Sequence, residues 1–474
     1  MQNTEEIWRH VDARAAEFTA LADRVWETPE LNFQETKSAA EHTAMLREQG
    51  FRITENIAGI PTAMIGEWGD EGPVIAILGE FDALPGLSQE AGIATQSPRP
   101  GEAAGHACGH NLLGSAAMLA ATAVKDYLVA NRLKGRVRYY GCPAEEGGAG
   151  KLFMVRDGAF KDVDIALSWH PAPFCAVNNA NSLAMVTIDF TFHGRASHAA
   201  AAPHLGRSAL DAVELMNVGV NYLREHMPSD ARIHYALLDG GGVAPNVVQA
   251  RAKTRYIVRA RELADLHPLA ARVRKIAEGA ALMTETRMEA HPISGMSNLL
   301  ANTPLEQAMH DNLRRLGAPL WDDADRTFAR EIQASLQPGD VEAAYRRFGI
   351  KPNLDDPLCT DIVPLHYNSN EGVGSTDVGD VSWVVPTAQI RGATYAIGTP
   401  GHSWQLTAQG KSGIAHKGMI HAAKVMAATA IDTLRNPALI AQAKDDHAAR
   451  IAANPYVCPI PDDVPPPLAM ALGL

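Results

Sequence analysis

Along the chain, apolar runs stop at polar residues in a rhythm that alternates helices with buried strands. The first 60 residues carry helical spacing: Trp26, Leu31 and Phe33 mark the turn after one helix, and Gly50 is placed to cap a second. Residues 73–79, PVIAILG, are continuously apolar, which predicts a strand buried on both faces of an α/β sheet. The run ends in Glu80-Phe81-Asp82, so carboxylates are delivered where open α/β sheets bind ligands. A Gly/Pro/Ser loop over 86–105 leads to a helix of small and apolar residues from Leu112 onward, with His106, Cys108 and His110 at its start. Residues 137–142 predict a strand that breaks into the loop holding Glu145 and Glu146, and DIALSWHP predicts a strand ending on His170.

Near residue 184 the period changes. Val186, Ile188, Phe190 and Phe192 alternate with Thr187, Asp189, Thr191 and His193, which predicts a half-exposed strand. The order strand, helix, strand, strand, helix, strand predicts a ferredoxin-like (βαββαβ) domain over 184–297. It would be inserted between the halves, 1–183 and 298–450, of an α/β catalytic domain. An exposed edge or helix face of the insert would suit pairing with a second copy. Residues 335–374 read as loop, IRGATYAIGTPGHSWQ as a strand and loop reaching His402, and AHKGMIHAAKVMAATAIDTLR as the final helix. Residues 451–474 read as an extended Pro-rich tail. Two domains fit 474 residues, because single cores rarely grow past roughly 250–300 residues.

The formal net charge of −12 argues against a nucleic-acid partner, and requires a local cationic cluster for any anionic substrate. Five widely spaced cysteines do not form a disulfide framework and fit a reducing compartment. The amphipathic, acidic start is unlike a secretory signal, and no run of about 18 apolar residues predicts a membrane span, so a cytoplasmic location is expected.

Cys108, His110, Glu146, His170 and His402 make a candidate metal shell. A thiolate, imidazoles and a carboxylate together suit a borderline divalent ion such as Zn, Mn, Co or Ni. A lone Cys-x-His is more often core than ligand. What changes the balance is recurrence, because separate strand and loop ends all present metal-type side chains. Adjacent carboxylates beside a metal can divide two jobs: one ligates, and one takes a proton from water and passes it to the leaving amine. Cys108 as a nucleophile with His110 as its base fits less well, since residues two apart in a tight loop align poorly for proton transfer.

The runs GHACGHN, PAEEGG, SWHP, GRASHAA and the late GHS resemble the M20 metallopeptidase/amidohydrolase family, in the branch of amino-acid N-acyl and indole-acetyl-amino-acid hydrolases. Further runs extend the resemblance over nearly the whole chain. It implies a metallo-exopeptidase-like catalytic domain with a dimerisation or lid insert, and one or two divalent ions per subunit, Mn or Zn. It implies that Cys108, His110, Glu146, His170 and His402 are the ligands, Glu145 the general base and Asp82 an outer partner that orients a ligand. It also implies that His198 stabilises the oxyanion, in many members from the partner subunit, and that Asn246 binds substrate. The implied reaction is hydrolysis of an N-acyl or N-aroyl amino acid. A dipeptidase, an indole-acetyl-amino-acid hydrolase and a regulatory subunit remain as alternatives, and the implied assembly is a homodimer or a hetero-oligomer with a homologous subunit. Many two-zinc members carry His-x-Asp where Glu80-Phe81-Asp82 stands, which leaves open the ion count and whether Cys108 bridges two ions. Arg195, Arg207, Arg255, Arg259 and His204 are candidates for a substrate carboxylate, and each also reads as an ordinary surface residue.

Overall fold

The computed structural model describes residues 2–178, 180–367 and 374–472. The main sheet has seven strands. Its centre is a parallel set in the spatial order Arg136–Cys142, Val74–Glu80, Ile165–Ala172 and Thr387–Ala393. Met64–Trp68 and Arg52–Glu55 extend one edge antiparallel, so the first 60 residues are not wholly helical. Ala176–Val177 closes the other edge. Every residue of Val74–Glu80 is buried, as its unbroken apolar run requires.

Helix His110–Asn131 lies against that strand and between helices Gln2–Trp26 and Gly413–Arg435. It is long and apolar enough to cross a membrane, yet 83% of its most apolar stretch is buried inside the protein, so its apolarity is that of a core helix. Because the central strands are parallel, their C-terminal ends share one edge of the sheet. Glu80 and His170 sit at that edge, and the segments leaving Cys142 and Ala393 carry Glu145–Glu146 and His402.

A second sheet is wholly antiparallel, in the order Arg232–Asp239, Arg251–Ala260, Ala184–His193, Arg287–Met296. Helices Ala209–Leu223 and Leu263–Thr284 cover one of its faces, and in chain order the elements run β-α-β-β-α-β. Strand Ala184–His193 corrects the expectation of half-exposure: Thr187 and Asp189 are only 4% and 2% exposed. The polar side of this central strand faces cross-strand ion pairs and the wall of a cavity. Asp189 accepts from Arg255 at 2.6 and 3.0 Å and meets Lys253 at 2.6 Å, while Met185 and Thr187 line the cavity.

Two further expectations change. The segment 335–374 contains helix Asp340–Arg347, and its residues 368–373 lie outside the described residues. Gly413–Arg435 is not the final helix, because Pro437–Ala453 follows it. Asn436-Pro437 resembles a stop signal, but proline is tolerated in a helix's first turn, where its missing N–H has no partner to lose. The tail starts later than expected, because 451–453 end helix Pro437–Ala453; from there it runs without a regular helix or strand to a short 3₁₀ turn at Met470–Leu472 and is tied to the body. Arg156 donates to the carbonyls of Pro461 and Val464 at 3.0 and 2.6 Å, and Gln34 donates to that of Leu468 at 2.9 Å.

Candidate active site

The strand edge brings the expected metal-type side chains together. His110 Nδ1 donates to Asp82 Oδ1 at 2.8 Å, which leaves the Nε2 lone pair for an ion. Asp82 Oδ2 accepts the Glu146 N–H at 2.9 Å, so one carboxylate orients both an imidazole and the glutamate loop. His170 Nδ1 donates to Pro171 O at 2.8 Å, which turns Nε2 to within 3.4 Å of Cys108 Sγ. His402 Nε2 lies 3.3 Å from Glu146 Oε2. His402 adopts φ +54°, a conformation costly for a residue with a Cβ, and its N–H is tied to Ala107 O at 3.1 Å, next to Cys108. His106 turns away, with Nε2 bonded to Val25 O at 3.1 Å.

Three overlapping groups each have donor atoms within 4.8 Å of one another: Cys108, His110 and His170; Cys108, Glu146 and His402; and Glu80, His110 and Glu145. Cys108 belongs to two of them. Glu80 Oε2, His110 Nε2 and Glu146 Oε1 are buried without a hydrogen-bond partner. Buried polar atoms are rarely left so, and a divalent cation would satisfy all three. The electrostatics agree. Burial, with Glu80 and Glu146 nearby, pushes the Glu145 carboxyl well above its usual range, and burial together with Glu146 raises the Cys108 thiol. Acids crowded in this way need a cation to stay ionised.

Three residues at the site carry no signal strong enough to be found from sequence. Lys151, buried, has Nζ 2.6 Å from Glu80 Oε1 and 2.6 Å from Asp377 Oδ1, and its N–H reaches Asp377 Oδ2 at 2.9 Å. This triad holds Glu80 with Oε2 3.3 Å from His110 Nε2. The available hint is a lysine inside the apolar turn GKLFMV. Glu35 is the third: it accepts from the N–H groups of Phe33 and Ala144 at 2.9 Å each and from Thr62 Oγ1 at 3.0 Å. It thereby pins the left-handed Ala144, φ +58°, that launches Glu145.

Beside these groups opens a cavity of about 830 Å³, lined by Cys108, Glu145, Glu146, His170 and His402 and roofed by Arg255 and Arg259 from the second sheet. His198 and Asn246 are exposed and are not among its lining residues, so one chain does not bring them to its own site. Arg195 and Arg207 also lie outside the lining; Arg207 pairs with Glu285 at 2.9 Å. His204 sits in an exposed 3₁₀ turn.

Residues 76–335 match the model of peptidase family M20/M25/M40. The chain is 46% identical to one of the subunits of the p-aminobenzoyl-glutamate hydrolase of Escherichia coli (strain K12), covering 98% of this chain and 99% of that protein. It is 29% identical to the Xaa-Arg dipeptidase of Mus musculus, covering 91% and 88%. A dinuclear metal-binding peptidase of family M20 from Bacillus subtilis has the same fold, with a TM-score of 0.57 at 18% identity over 90% of this chain and 99% of that one. The chain belongs to peptidase family M20/M25/M40, and it is a metal-dependent hydrolase acting on amide bonds.

Proposed function

We propose that this chain hydrolyses p-aminobenzoyl-glutamate to p-aminobenzoate and glutamate. The observation that carries the reading is the 46% identity to a hydrolase of that compound across both whole chains. In this reading Cys108, His110, Glu146, His170 and His402 would hold one or two divalent ions, Mn or Zn, a donor set that suits a borderline metal. A bound divalent ion supplies Lewis acidity towards the amide carbonyl and water. Glu145 takes the water's proton and delivers it to the leaving nitrogen. Asp82 keeps His110 in the tautomer that presents Nε2. His198 Nδ1 accepts from the N–H groups of Ala200 and Ala201 at 3.2 and 3.1 Å, which leaves Nε2–H to donate to an oxyanion.

The ferredoxin-like unit over 184–297 would act as lid and dimerisation domain, bringing His198 and Asn246 to the partner's site. Its edge strand Arg232–Asp239 supports this, exposing Tyr235, Leu237 and Leu238 at 42–54%. Pairing with a homologous subunit instead of a second copy is the alternative, raised because the Escherichia coli relative is itself one subunit of its hydrolase. The five free cysteines favour a cytoplasmic location. A dipeptidase is the second reading, favoured by the likeness to the Xaa-Arg enzyme.

The test is metal analysis of the purified chain coupled to a panel of p-aminobenzoyl-glutamate, indole-acetyl-aspartate and Xaa-Arg dipeptides. The expected result is fastest turnover of p-aminobenzoyl-glutamate by the metal-loaded chain. Faster cleavage of a dipeptide would overturn the substrate, and no cleavage without a homologous second chain would overturn independent activity.

A further inference from the structure

The cavity carries positive charge that the metal centre does not use. Arg391, on strand Thr387–Ala393, stands beside His170 in the parallel ladder and lines the cavity. Arg347, the last residue of helix Asp340–Arg347, lines it too. Neither meets a carboxylate among the described residues, whereas Arg255 is held by Asp189 at 2.6 and 3.0 Å. Both guanidinium groups line the cavity together with His170, Tyr367 and Tyr395, and both act electrostatically on those three. Burial holds Arg391 below the ordinary guanidinium value, and Arg347 adds repulsion.

A half-buried guanidinium that shares a cavity with a second one, with no carboxylate paired to it among the described residues, is unfavourable in isolation. Two such groups are also out of character for a chain with 54 acidic and 42 basic residues. A ligand carboxylate would offset both costs, and guanidinium forks match that group geometrically. Arg391 is paired with His170 in the ladder, so this charge adjoins the candidate metal ligands.

We propose that Arg391 and Arg347 form a carboxylate subsite that selects acyl derivatives of dicarboxylic amino acids. It rests on the function proposed above and specifies how that site reads its substrate. The experiment measures kcat and KM for p-aminobenzoyl-glutamate and for its two mono-amides, one with the α- and one with the γ-carboxylate converted to carboxamide. Wild type is compared with Arg391→Met and Arg347→Ala. Arg391→Met is expected to raise KM for the diacid by roughly 30-fold or more, the range for losing one partner of a desolvated charge pair, and Arg347→Ala, at an exposed helix end, by roughly fivefold. For one mono-amide the same substitution should cost less than about threefold, since the partner group is already gone. Calorimetry with free glutamate is the second readout, and Arg347→Ala should weaken its binding.

An equal loss on all three substrates, with glutamate binding unchanged, overturns the subsite. Wild type that cleaves diacid and mono-amides equally also overturns it, while leaving the proposed function standing. Wild type that binds glutamate through these arginines but cleaves none of the three overturns the function and leaves the subsite. Arg347 is exposed at a helix end, so its substitution keeps the test decisive should Arg391→Met not fold.

Discussion

Glu145 and Glu146 are sequence neighbours with different surroundings. Glu146 lies with Cys108 and His402, and Glu145 lies with Glu80 and His110. Both also lie 4.0 Å from His110 Nε2, so the division into one ligand and one proton carrier is the part of the proposal that mutation tests. Glu145→Gln should keep metal content, measured by elemental analysis, and lower turnover by about 10²–10⁴-fold. Unchanged turnover would remove Glu145 from the mechanism. A residue far from the chemistry gives a pH prediction. His421 is buried with Nε2 2.6 Å from Gly317 O, and burial lowers its pKa from 6.5 to about 4. Its folded pKa lies below its unfolded one. The stability it contributes is therefore present above pH 6.5 and is lost as pH falls towards 4, by roughly 2–3 kcal/mol. In urea titrations at pH 7 and pH 4.5, His421→Gln should lose less stability on acidification than wild type. At this scale the candidate donors were legible: Cys108, His110, Glu146 and His170 stand at strand ends or helix starts that the apolar runs announce. Arg391 and Arg347 were not, since an arginine's role depends on whether an acid stands opposite, and that is not written next to it.

Among elements, helix Gly150–Arg156 does more than its length suggests. It carries Lys151 into the core between Glu80 on one strand and Asp377 at the start of another helix. Lys151→Met would leave two carboxylates buried without their cation. It should destabilise the fold by about 3–5 kcal/mol, seen as a lowered Tm. An unshifted Tm would mean that the triad is not charged as described. Strand Val74–Glu80 was readable because its burial on both faces leaves a continuous apolar run. Strand Ala184–His193 was misread because alternation records polarity and not exposure. Its polar side faces Arg255, Lys253 and a cavity, which look like solvent to a periodicity argument.

For the whole molecule, His198 is exposed and is not among the residues lining its own chain's cavity, so the role proposed for it requires a second subunit. If the partner supplies it, His198→Ala and Cys108→Ser should each be inactive alone. Mixing them under conditions that allow subunit exchange should restore activity, because some hybrid sites then hold both intact residues. No recovery despite demonstrated exchange would exclude the arrangement in trans. The sequence by itself determined the chemical character of this protein: an α/β chain whose strand ends carry thiol, imidazole and carboxylate groups. Those features are local, set by side-chain type and by burial periodicity over a few residues. Only the tertiary structure decided which donors converge, that Lys151 is held by Asp377 across 226 residues, and that Arg391 and Arg347 line one cavity with no carboxylate paired to either among the described residues. The reason is physical: local periodicity specifies which face of an element is buried, whereas the partner it meets there is set by how distant elements pack.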